Sequence, residues 1–103
     1  MPDTTFEIVN YKFQMQTTAL RQATVSCYDQ TGLRGWLSFD EDSDPPGLPV
    51  QDENLRVNLY FKMSQFETVM ELLRTEKPIY VYYHSATHAG LTSGKEPTGE
   101  EET

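Results

Sequence analysis

The sequence predicts a small α+β domain, mainly β. About six short strands and one helix, in the order β-β-β-β-α-β-β, would form a partly open antiparallel barrel or a curved sheet. Three observations predict it. Apolar and polar residues alternate in several stretches of strand length. One stretch has helical period instead. Turn residues punctuate the chain at short intervals.

Phe6 to Met15 reads as a first strand. Phe6 and Ile8 share one phase, whereas Val9, Tyr11, Phe13 and Met15 share the other. A phase switch within a strand predicts a bulge near Ile8–Val9, or burial on both faces. Gln16 to Arg21 reads as a turn. Ala23, Val25 and Cys27 alternate with Thr24, Ser26 and Tyr28 in a second strand. Asp29-Gln30-Thr31-Gly32 supplies turn chemistry, with glycine free to take positive φ. Leu33, Leu37 and Phe39 face one way in the third strand, with Arg34, Trp36 and Ser38 facing the other. Strands two and three therefore make a hairpin.

Asp40 to Glu53 holds Pro45, Pro46, Gly47 and Pro49 among acids and reads as a loop. Leu55, Val57, Leu59 and Phe61 then alternate with Arg56, Asn58, Tyr60 and Lys62 in a fourth strand. Ser64-Gln65-Phe66-Glu67 has the form of a capping box. Phe66, Val69, Met70 and Leu73 follow at i, i+3, i+4 and i+7, so one helix face is apolar and belongs to the core. Pro78 lacks an N–H and biases Lys77 away from helix, which ends it. Ile79 to His84 is a fifth strand, His84 to His88 a turn, and Ala89 to Ser93 a short last strand. An oligonucleotide-binding-type barrel is similar in placing a helix between later strands, although the strand count here is one too many.

The chain of 103 residues suits a single domain over 1–94 with an acidic loop at 40–53 and an acidic flexible tail at 95–103. Net charge is −8. The 40–53 loop carries −6, the tail −3, and the remaining body +1. The overall charge is thus a poor guide to what the body binds. One cysteine, Cys27, excludes an intrachain disulfide and suits a cytoplasmic setting. Met1 to Thr5 carries neither the basic nor the apolar region of a signal peptide. No apolar run approaches the ~18 residues that span a bilayer.

No catalytic signature is present: no G-x-S-x-G, H-E-x-x-H or C-x-x-C. No cofactor is implied. Asp40, Asp42 and Asp44 match the first ligand positions of a Ca²⁺ loop, but Pro45 replaces its turn glycine and Gln51 its bidentate glutamate. His84 and His88 flank a turn, where i, i+4 spacing does not converge on a metal. The chain is therefore expected to be neither an enzyme nor a metal protein.

What remains is an outward aromatic and basic stripe: Arg34, Trp36, Arg56, Tyr60, Lys62, Tyr80 and Tyr82. Aromatics and arginine are enriched at interface cores. The first expectation is a non-enzymatic interaction module, binding a protein partner or self-associating through these residues. A second is single-stranded nucleic-acid binding by the same stripe, with the acidic loop or tail as an intramolecular competitor. A third is a nucleic-acid-mimic inhibitor presenting the acidic segments themselves.

Overall fold

The computed structural model describes residues 3–15, 21–40 and 47–94. The fold is α+β and mainly β, with eight strands in two sheets and one α-helix among the described residues. The strands are β1 (Thr4–Glu7), β2 (Asn10–Met15), β3 (Arg21–Asp29), β4 (Gly32–Asp40), β5 (Val50–Gln51), β6 (Val57–Lys62), β7 (Ile79–Ser85) and β8 (His88–Ser93); α1 spans Phe66–Thr75. One sheet has the order β1-β7-β8 and the other β2-β3-β4-β6-β5. Among the described residues the sheets do not close into a barrel.

The phase switch at Ile8–Val9 marks a change of sheet. Ile8 N–H donates to the Ile79 carbonyl at 2.9 Å, and Val9 N–H to the Tyr28 carbonyl at 2.8 Å. One residue is the last to bond toward β7 and the next the first to bond toward β3. Inverting the side-chain phase there lets the chain present apolar residues to the same interior from two sheets. The expected single first strand is thus β1 and β2.

The sheets share one core. Phe6, Val81 and Tyr83 come from the smaller sheet, Val25, Cys27, Leu37, Phe39, Val57 and Leu59 from the larger, and Val69 and Met70 from α1. Phe66 and Leu73 pack against that cluster half-buried. All four apolar helix positions therefore contribute to the core.

Three departures from the sequence reading have clear causes. β4 and β6 pair in parallel, Leu37 opposite Leu59 and Phe39 opposite Phe61, so the larger sheet is mixed. Parallel neighbours require a long connection, and residues 41–56 provide it. This approach is close: a Cβ on Gly35 would collide with the Val57 carbonyl oxygen. Within the expected loop, Val50–Gln51 forms β5 against β6. Leu55, expected to face inward in the fourth strand, lies outside it with φ 62° and 42% of its surface exposed. Asp52 dictates that turn, because its Oδ1 accepts from the Asn54 and Arg56 N–H groups at 2.9 and 2.8 Å.

The helix is entered through a 3₁₀ turn, Met63–Gln65, which moves the expected closure. Gln65 Oε1 accepts from Lys62 N–H at 2.9 Å, and the α1 N-cap is Gln65, with no side-chain cap bond of its own. Glu76 takes extended dihedrals at the C-cap, so α1 stops at Thr75, short of Pro78. The β3–β4 hairpin turns at Gln30–Thr31 with Gly32 at φ 132°, as its composition implies. No helix among the described residues is long and apolar enough to cross a membrane. Residues 41–46 and 95–103, which carry half of the acidic loop's carboxylates and the whole tail, lie outside the described residues.

Candidate interaction surface

The seven stripe residues do not form one surface. Trp36 stands between Ser26 and Asn58 on the outer face of the larger sheet, and Tyr60 and Lys62 stand beside Ser38 and Asp40 on that face. Arg56 precedes β6 in the same phase and is half-buried. Tyr80 and Tyr82 lie on the outer face of the smaller sheet, opposite Thr92 and Gly90. Because both inner faces meet the same core, these two outer faces point away from each other.

Arg34 leaves the stripe altogether. A register shift between Cys27 and Tyr28 pairs Tyr28 with Leu33 and makes Arg34 the bulged residue. The shift carries Leu33 to the Tyr28 side and turns Arg34 toward Asp29 and Phe6. Its Nη1 lies 2.6 Å from Asp29 Oδ2, and its guanidinium lies 5.0 Å from the Phe6 ring centroid. Asp29 Oδ1 also accepts from the Thr31 hydroxyl and N–H at 2.6 and 2.7 Å. These bonds, the Thr31 hydroxyl first, hold the Asp29 carboxyl down to a pKa of about 2. Arg34 is thus tied to Asp29 and set against the Phe6 ring rather than standing in the stripe.

Neither outer face is an open aromatic platform. Ser38 is buried and donates to Asn58 Oδ1 at 2.9 Å. Tyr60 lies under the backbone at Gly47, where an added Cβ would sit 3.4 Å from its ring. On the smaller sheet Tyr82 lies against Gly90, 3.1 Å from its oxygen to a Cβ built there. It also contacts the imidazoles of His84 and His88, whose centroids are 4.7 Å apart. The β7–β8 hairpin, rather than helical spacing, brings these histidines together. His84 Nδ1 lies 3.0 Å from Asp3 Oδ2. Among the described residues no group of three or more His, Cys, Asp or Glu side chains is arranged to hold a metal ion. Cys27 is buried, and desolvation pushes its thiol up to about 12.

Open apolar surface lies elsewhere, on β2 and, more sparsely, at Leu48, Val50 and Leu55 around β5. Tyr11, Phe13 and Met15 pair with Cys27, Val25 and Ala23, which places them in the inward phase of the larger sheet. They nevertheless expose 37%, 45% and 51% of their surface, and adjoining Val9 exposes 45%. Among the described residues β2 pairs only with β3, and no other described residue covers its second backbone edge. A groove of about 880 Å³ runs between Phe13 and α1, lined by Phe66 and Met70 with Glu67, Glu71 and Arg74 at its rim. A smaller hollow joins Val9 and Tyr11 to Leu73 and Lys77. The α1 N-terminus therefore lies by Phe13 and its C-terminus by Val9, antiparallel to β2.

An aromatic chain connects this groove to the interior. Phe13 meets Phe66 at 5.5 Å, Phe66 meets Phe39 at 5.1 Å, and Phe39 stacks on Phe61 at 5.4 Å. The groove floor thus continues into the core. Sequence reasoning placed Tyr11, Phe13 and Met15 in one strand phase without marking them as surface. Period 2 reveals which side chains share a face, not whether anything covers that face. Comparison with protein-family models, with curated proteins and with solved structures finds no match for this chain.

Proposed function

We propose that this protein is a non-enzymatic interaction module that takes an extended polypeptide strand between β2 and α1. The supporting observation is the coincidence of an unpaired strand edge with exposed inward-phase aromatics beside a helix-walled groove. Strand addition needs those two parts: backbone groups for affinity and pockets for alternate side chains. Soluble proteins blunt exposed edges with charges, proline or bulges. β2 carries only Lys12 among Asn10, Tyr11, Phe13, Gln14 and Met15. The contact residues in this reading are Tyr11, Phe13, Met15, Phe66 and Met70 rather than the outward stripe. Single-strand nucleic-acid binding has less support, because its aromatic and basic residues are divided between two opposed faces.

The test is an amide NMR titration of the labelled chain with a synthetic eight-residue peptide that alternates aromatic and polar residues. The expected shifts cluster at Tyr11–Met15 and Phe66–Arg74. Shifts centred on Trp36 or Tyr82, or none at millimolar peptide, would overturn the assignment.

A further inference from the structure

We infer that the strand seated on β2 is the β2 of a second copy of this chain, joined antiparallel about a twofold axis at Phe13. This rests on the groove reading above and names its occupant. The groove wants alternate apolar side chains on an extended backbone, and β2 itself offers them at Tyr11, Phe13 and Met15. Lock and key are one segment, the condition for an isologous interface.

Register follows from chemistry. Residues facing each other across an antiparallel pair share a face, so the sum of their numbers must be even to join the two inner faces. A sum of 24 opposes Lys12 to Lys12 of the other copy, which like-charge repulsion disfavours. A sum of 26 opposes Phe13 to Phe13, Tyr11 to Met15 and Lys12 to Gln14. That register gives an aromatic pair, two thioether–aromatic contacts and no charge conflict. It also pairs all five residues from 11 to 15, more than a sum of 28 would. The two five-stranded sheets become one sheet of ten.

The twofold also sets the helices. α1 starts beside Phe13, on the axis, and ends beside Val9, so the two α1 helices run antiparallel with their N-termini together and their C-termini apart. Glu67 of each copy falls in the turn nearest the axis, a like-charge approach that salt screens. The exposed parts of Val9, Tyr11, Phe13 and Met15 amount to on the order of 350 Å² per copy. Doubling that and adding the helix walls approaches the ~1,200 Å² lower bound of stable interfaces.

Sedimentation of the full chain from micromolar to millimolar concentration tests this, at low and high salt. A monomer–dimer equilibrium is expected. It tightens as salt rises, because each chain carries −8. Phe13→Lys should weaken it at least tenfold while leaving the circular dichroism spectrum unchanged. Phe13→Cys should form an intermolecular disulfide under diamide within minutes, faster than Lys12→Cys; opposed Cα atoms fall within disulfide range, and those offset by two residues do not. Buried Cys27 does not compete. A monomer at every concentration that still binds the alternating peptide would overturn self-pairing alone. A monomer that binds no peptide would overturn the groove reading with it. A dimer indifferent to Phe13→Lys, with no preference for the Phe13→Cys crosslink, would place the interface elsewhere.

Discussion

Truncating Phe13 and Phe39 separately distinguishes a groove residue from a core residue along the same aromatic chain. Phe39 is fully covered, whereas Phe13 leaves 45% of its surface open. Roughly half of a ~200 Å² side chain is thus covered at Phe13. At ~25 cal/mol per Å², and allowing for the Cβ that alanine keeps, Phe13→Ala should cost about 2 kcal/mol. Phe39→Ala removes a fully buried ring and leaves a cavity among Phe61, Phe66 and Leu37, and should cost about 4 kcal/mol. Urea unfolding followed by Trp36 fluorescence, at concentrations low enough to keep the chain monomeric, measures both. The midpoint should shift about twice as far for Phe39→Ala, with unchanged slope. Equal costs would refute the reasoning, because Phe13 would then be a core side chain and the groove would not be open in solution.

Other consequences are local. Gly35→Ala drives a methyl into the Val57 carbonyl and should destabilise by about 1–3 kcal/mol, lowering the melting temperature by roughly 5 °C or more. Gly94→Ala, whose added Cβ meets only Pro78 side-chain atoms, should cost less. Cys27, with its thiol raised to about 12, should resist Ellman's reagent at pH 8 in the native chain and react once per chain in urea. Asp29 contributes stability above its unfolded pKa near 4, and that contribution is lost as pH falls through about 2. The melting difference between the wild type and Asp29→Asn should therefore be constant above about pH 5 and shrink toward pH 2.

Much of the fold was legible because it is local. The helix face Phe66, Val69, Met70 and Leu73, the Asp29–Gly32 turn and the alternation of Val57, Leu59 and Ile79, Val81, Tyr83 all reflect periods that the backbone imposes. What escaped depends on partners distant in sequence. The phase switch at Ile8–Val9 was visible, but its meaning depended on β7 and β3 being separate neighbours. Parallel pairing of β4 with β6 leaves no local trace. The bulge at Arg34 depends on registry with Tyr28, so one shift sends Arg34 from the expected stripe to Asp29 and Phe6. The surface escapes sequence reasoning for a related reason: outward phase is not by itself the mark of an exposed residue. On an edge strand beyond the overlying sheet the inward phase is exposed too, as at Tyr11, Phe13 and Met15.

Amide hydrogen exchange, read residue by residue at low and high protein concentration, tests the β2 surface most directly. Three strands other than β2 have an open edge among the described residues, namely β1, β5 and β8. Higher concentration should slow exchange at Tyr11–Met15 and in the facing turns of α1, leaving His88–Ser93 unchanged. Exchange in β2 that is indifferent to concentration and to added alternating peptide, or protection appearing at β5 or β8 instead, would contradict it.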